Sequence, residues 1–274
     1  MQPRKYSPAN LGVSMSESQQ TLKKWRKAHK VVSTYKYKPK ALKGGYANRY
    51  LYVNVGTGEI KEKPVTKKMK DLFIGGKGFD LYIMWQMVKD STKWDDPENV
   101  ICFSGGPLCG TTTYPGAGKC LLTSISPLTG IPIDSNVGGY MGPLLKVAGF
   151  DALCLQGKSK KEVILKIDST NNEITIEEAP LEPVDAHLAA DTFHRMYSDS
   201  EEDRLNIACV AAGSGSDHSL LGCLNFSWWD QRRQESRLKQ AGRGGIGTVF
   251  RNKKMKAIIV KTPSPRPTWT IEID

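Results

Sequence analysis

From Arg49 onward, apolar and polar positions alternate in short runs separated by turn residues. Tyr50-Leu51-Tyr52-Val53-Asn54-Val55 reads as a strand, Gly56-Thr57-Gly58-Glu59 as a hairpin turn and Ile60-Lys61-Glu62-Lys63 as the returning strand. Helical spacing follows near 67–73. Gly75-Gly76-Lys77-Gly78 interrupts it, and 79–89 then carries an apolar face. Val100-Ile101-Cys102-Phe103 is short and wholly apolar, as a buried strand is, and Ser104-Gly105-Gly106-Pro107 ends it.

The same order recurs. Val163-Ile164-Leu165-Lys166-Ile167 is a strand, Asn171-Asn172 a turn and Ile174-Thr175-Ile176-Glu177 the return. Residues 186–197 are helical, and Leu205-Asn206-Ile207-Ala208-Cys209-Val210 is the buried strand, ending at Ala212-Gly213-Ser214-Gly215. Each half then has a small-residue loop and a strand containing Cys-Leu: Cys120-Leu121-Leu122 and Cys223-Leu224-Asn225. Each closes with a glycine turn, a short amphipathic segment and a last strand, 151–157 in one half and 255–261 in the other. The alternative is chance similarity between ordinary α/β segments, but six elements matching in order favour a duplication. Residues 48–262 are therefore expected to form one α+β domain, a duplicated two-sheet unit with pseudo-two-fold symmetry.

The two glycine turns are Asn136-Val137-Gly138-Gly139-Tyr140-Met141-Gly142-Pro143 and Ala241-Gly242-Arg243-Gly244-Gly245-Ile246-Gly247. Glycine lets backbone N–H groups approach a ligand, and a helix start favours anions. One such turn says little. Two in corresponding places suggest a ligand with two similar anionic ends.

Charge divides the chain. The net charge is +11, yet residues 1–47 hold 11 Lys/Arg against the single acid Glu17, and residues 48–274 hold 28 basic and 27 acidic residues. The basicity thus belongs to an N-terminal extension, 1–47. Ser16-Glu17-Ser18-Gln19 resembles a capping box before a helix reaching Lys30, and Tyr35–Lys40 reads as an extended arm. Such an arm suits an acidic partner surface; a solvated leader is the plainer reading. Nucleic acid ranks last, since no recognised nucleic-acid module follows.

The remaining features mostly exclude. No run approaches the roughly 18 apolar residues of a membrane span, and Met1-Gln2-Pro3-Arg4-Lys5 leads into polar sequence, which argues against a secretory signal. Cysteines 102, 109, 120, 154, 209 and 223 include no C-x-x-C pair and mostly sit in apolar runs, as buried thiols of a cytoplasmic protein do. Pro115-Gly116-Ala117-Gly118-Lys119-Cys120 is no phosphate loop: Thr113 stands where its first glycine belongs and Cys120 where its hydroxyl belongs. Lys119 can still meet an anion as a point charge, or be a surface lysine. His187 and His194 lie seven apart without a third ligand, and no nucleophile–base pair stands out.

Several motifs in order and spacing resemble the N-terminal domain of the aldehyde ferredoxin oxidoreductase family, the tungsten or molybdenum bis-pterin enzymes. They are Arg49–Gly58, Gly105-Gly106-Pro107-Leu108, Lys119, Ser126-Pro127-Leu128-Thr129-Gly130, Asn136-x-Gly138-Gly139-Tyr140, Ala148-Gly149-Phe150-Asp151, Ala241–Gly247 and Lys254–Ile258, over residues 47–263. The resemblance implies a base on which two molybdopterin-type cofactors sit about the pseudo-two-fold axis. It places their phosphates at Asn136, Val137, Gly138 and Gly139 and at Gln240, Ala241, Gly242, Arg243, Gly244 and Gly245. It implies a phosphate-bridging magnesium ion on the backbone carbonyls of Asn136 and Gln240. It sets Lys119 where the family has an arginine between pterin and a [4Fe–4S] cluster; lysine keeps the charge but not the planar fork.

The family's chains are more than twice as long, and their later domains carry the cluster cysteines and the acid/base residues. The basic extension and the tail 263–274 lie outside the family pattern. The expectation is a split enzyme: a pterin-binding subunit of a tungsten or molybdenum oxidoreductase, performing two-electron chemistry on an aldehyde/carboxylate or related acyl substrate. A second subunit would carry the [4Fe–4S] cluster and catalytic residues, electrons would pass to a ferredoxin-like carrier, and the extension would dock on one of the two. No catalytic residue is assigned within this chain. The alternative is a non-catalytic scaffold or assembly protein that keeps the fold without cofactor.

Overall fold

The computed structural model describes residues 15–264 except 115 and 183. The tail from 265 and the first 14 residues lie outside the described part, as do the side chains of the capping-box residues 16–19.

The first half supplies β2 (Arg49–Asn54), β3 (Glu59–Pro64), β4 (Ile101–Ser104), β5 (Cys120–Ile125), β6 (Pro132–Val137) and β7 (Ala152–Gln156), in the sheet order β3-β2-β7-β4-β5-β6. The second half supplies β8 (Val163–Asp168), β9 (Glu173–Glu178), β10 (Ile207–Ala211), β11 (Leu224–Asp230), β12 (Glu235–Ala241) and β13 (Met255–Lys261), ordered β9-β8-β13-β10-β11-β12. The two orders are the same element for element. In each sheet one pair is parallel, β2 with β7 and β8 with β13, and the others are antiparallel. The expected duplication is therefore present in the topology. Strands β6 and β12 complete it; sequence periodicity did not predict them.

The inner faces of the two sheets share one apolar core, in which Phe103 and Phe226 meet across the interface at 6.3 Å between ring centroids. Helices α2 (Lys67–Phe73) and α3 (Lys77–Met87) cover the outer face of the six-stranded sheet through Met69, Phe79, Ile83 and Met84. Helix α5 (Ala186–Tyr197) covers the other sheet through Ala189, Phe193 and Tyr197. Thr66 and Asp185 cap α2 and α5, accepting backbone N–H bonds from the first turn. The short helices α4 (Met141–Val147) and α6 (Ile246–Asn252) reach the other half: α4 packs on β10 and β13, and α6 on β4 and β5 as well as on β11 and β13 of its own sheet. Each half thus contributes its helix to the other's sheet. After them the chain needs a left-handed residue, Gly149 (φ 89°) in one half and Lys254 (φ 62°) in the other.

The described part of the basic extension is folded onto the domain. Helix α1 (Met15–Ala28) leads to β1 (Lys30–Lys36), which pairs antiparallel with β9 and makes the second sheet seven-stranded. Tyr35 and Lys36 therefore belong to a strand, where an arm extending over 35–40 was expected, and Tyr37 is buried against the Phe150 ring. His29 is shut off from solvent between Glu177 and Glu182, and Arg26 reaches Glu177 at 2.8 Å. This contact is at the end of the sheet opposite β12.

Candidate functional site

β6 and β12 each close one end of their sheets, and between β6 and the turn after β12 lies a cavity of about 400 Å³ lined by Ile133, Asp134, Ser135, Asn136, Gly242 and Arg243. The turn after each strand leans on the other half. Gly139 (φ 100°) lies over Phe226 on β11, and a side chain at Gly244 (φ 78°) would collide with Ile133 on β6. Gly245 (φ 66°) is pressed against the Leu220 carbonyl and Pro127. Both conformation and space therefore require glycine at 244 and 245. The backbone N–H of Arg243 donates to Ser135 Oγ at 3.3 Å, tying the second turn to β6.

Val137 and Ala241 both point into the shared core, so they are equivalent, and Asn136 and Gln240 before them are exposed equivalents. Between these pairs and the helices, the first turn holds residues 138–140 and the second 242–245. The second is one residue longer and contains the exposed Arg243. A Cβ added at Gly242 would meet nothing within 4 Å, so its backbone is open to the cavity. Lys119 is exposed at the entry to β5, after Gly118, which lies beside the Gly139 carbonyl.

Sequence reasoning missed the β6 wall. Asp134 puts a carboxylate on the cavity, and Lys77 Nζ sits 2.6 Å from its Oδ1, offsetting a charge that would repel an anionic ligand. Behind the wall, Asp80 is fully buried 3.4 Å from the Thr123 hydroxyl, and desolvation raises its pKa well above the carboxylate range. No sequence signal marks these roles beyond the acid's place beside the Asn136 motif.

Gly242 leaves its backbone open at the cavity, and the exposed Arg243 sets a positive charge on its rim. Among the described residues, no group of three or more His, Cys, Asp or Glu could hold a metal ion. His194 is a buried core residue bonded to Ser227 Oγ at 2.8 Å, and burial lowers its pKa to about 4. Five cysteines are buried and Cys223 is half-buried. Among the described residues, no helix is long and apolar enough to cross a membrane.

Fold and site together define a duplicated α+β base with a polar cavity between β6 and the turn after β12. The family model for the aldehyde ferredoxin oxidoreductase N-terminal domain matches residues 50–262, and the chain belongs to that family. The tungsten-containing aldehyde ferredoxin oxidoreductase of Pyrococcus horikoshii is 30% identical over 217 residues, which is 79% of this chain and 33% of that protein. An aliphatic sulfonate oxidoreductase, WOR-like subunit, of Pyrococcus furiosus is 26% identical over 231 residues, 81% of this chain and 35% of the relative. Among solved structures, the active site complex BamBC of benzoyl coenzyme A reductase with 1,5-dienoyl-CoA superposes with a TM-score of 0.67 at 27% identity, covering 83% of this chain and 32% of that one. The chain thus spans about a third of the length of these relatives.

Proposed function

We propose that this chain is the pterin-binding base of a split tungsten or molybdenum oxidoreductase, completed by a second polypeptide. The observation that carries this is the cavity between β6 and the turn after β12, lined by Asn136 just before the first glycine turn and by Gly242 and Arg243 of the second. The residues fit two phosphate groups. Gly138 and Gly139 form one turn, Gly242, Arg243, Gly244 and Gly245 the other, and the exposed Asn136 and Gln240 stand at equivalent positions, where their carbonyls would take a bridging magnesium ion.

When bound, the tungsten or molybdenum pterin would supply two-electron redox chemistry on an aldehyde/carboxylate or related acyl substrate. This chain's residues would do the holding. Arg243 would meet the phosphates, Lys77 would keep the Asp134 charge neutralised, and Lys119 would set a positive charge between the first turn and a [4Fe–4S] cluster on the partner. Electrons would leave through that cluster to a ferredoxin-like carrier in the cytoplasm.

Metal and pterin analysis of the natively purified complex tests the reading. Tungsten or molybdenum with pterin in proportion to this chain, together with a cysteine-rich partner, is expected. Recovery as a metal-free, pterin-free protein would overturn it and fit a scaffold instead.

A further inference from the structure

The outer face of the six-stranded sheet carries an apolar ridge that the cradle does not use. Leu72 and Phe73 end α2, Ile74 follows, and Leu81 and Trp85 stand four apart on α3, all exposed; Trp85 is 83% and Ile74 64% accessible. Single exposed apolar residues are ordinary, but five on one helical hairpin mark a contact surface.

The backbone adds a second, independent sign. Ile74 has φ 61° and ψ −46°, a γ-turn of the rarer hand, closed by the Gly75 N–H on the Phe73 carbonyl at 2.5 Å. A β-branched residue there is strained. The strain is held from both sides. Tyr46 donates its hydroxyl to the Ile74 carbonyl at 2.6 Å, and Gly75 is packed so closely on Gly105 that a Cβ would lie 2.7 Å from its carbonyl oxygen. The fold keeps an unfavourable conformation whose result is an isoleucine side chain in solvent. The loop that follows Gly105 exposes Leu108 and Tyr114 and leads the chain to Lys119 at the entry to β5.

We propose that the α2–α3 ridge is the docking surface for the polypeptide that completes the enzyme, with Ile74 and Trp85 as its anchors; this rests on the split-enzyme reading above. About two thirds of the length of the Pyrococcus horikoshii relative lies outside the part this chain matches, and that mass has to pack against the domain. A ridge joined through Gly75 and Gly105 to the loop that leads to Lys119 lets one partner grip the α2–α3 hairpin and reach the cofactor site. The partner's surface is an apolar pocket with an acidic rim, facing the exposed Lys68 and Lys89.

The full chain, produced in its own cells with p-benzoylphenylalanine at position 85 or, separately, at position 114, tests this by photo-cross-linking. The expected result is a cross-link from position 85 to a chain bearing cluster cysteines, in a complex that contains pterin with tungsten or molybdenum. Ile74→Gly is expected to raise the melting temperature of the isolated chain by about 2–4 °C and to weaken the complex by about tenfold. Trp85→Lys should weaken it without changing the melting temperature. A cross-link from 85 to a second copy of this chain, or none from 85 while 114 reaches the partner, would overturn the docking surface and leave the split enzyme standing. So would an Ile74→Gly complex of unchanged affinity. A partnered complex without pterin or metal would remove both.

Discussion

The Nδ1 atom of His29 lies 3.0 Å from Oε2 of Glu177, although 148 residues separate them in the chain. Nε2 of the same ring bonds Glu182, so both ring nitrogens face carboxylates, an arrangement that favours the protonated imidazole. Arg26, the Tyr197 hydroxyl and the Thr175 hydroxyl also converge on Glu177, while Lys256 meets Glu182. The extension is fastened by a buried charge cluster rather than by apolar packing alone.

That cluster makes the fastening pH-dependent. Burial disfavours the His29 charge, but the bonds to Glu177 and Glu182 outweigh it and raise the pKa. Stability from a raised histidine is fully present below its ordinary pKa of about 6.5 and is lost as pH rises through the folded value. His29→Gln should therefore destabilise by about 1–3 kcal/mol at pH 6, with the difference shrinking toward pH 9, as read from urea unfolding at both pH values.

Acid acts on the other half of the pair. Desolvation opposes the Glu177 charge, yet the His29 hydrogen bond and Arg26 prevail and its pKa falls to about 2. Its contribution is present above the ordinary glutamate value and is lost as pH drops from about 4.5 toward 2. Glu177→Gln should flatten the unfolding profile across that window.

Lys254 occupies the left-handed position that Gly149 fills in the first half. Lys254→Gly should stabilise the chain by about 1 kcal/mol, since it relieves the Cβ clash of that conformation. Thermal unfolding should show an increase of about 2–4 °C.

The cradle residues should separate into structural and binding roles. Gly245→Ala forces a Cβ onto the Leu220 carbonyl at positive φ and should cost about 2–4 kcal/mol in denaturant unfolding. Arg243→Ala removes an exposed side chain, so stability should stay within about 0.5 kcal/mol while pterin content of the purified complex falls. Equal pterin content in wild type and Arg243→Ala would exclude the guanidinium from phosphate binding.

Much of the fold was legible because burial imposes a pattern. Val163–Ile167 and Met255–Lys261 read as strands since their neighbours on both sides are apolar, and α5 matched residue for residue because its buried Ala189, Phe193 and Tyr197 recur at helical spacing. β6 and β12 did not show, because edge strands with mostly polar, solvent-facing residues such as Asp134, Asn136, Lys239 and Gln240 lose the alternation. The glycine turns were legible for a stereochemical reason: positive φ and close approach leave few other residues allowed.

The sequence by itself determined the duplicated order of elements, the positions of both glycine turns and the concentration of positive charge in the extension. These follow from local spacing and backbone freedom, which any window of the chain contains. Only the tertiary structure decided that the second turn faces β6 across a cavity, that Lys77 neutralises Asp134 there, and that the extension is locked to Glu177 and Glu182 at the opposite sheet edge. Each of these is a contact between residues far apart in the chain. Such contacts exist only once two sheets have packed face to face, and a one-dimensional pattern does not encode which charges that packing brings together.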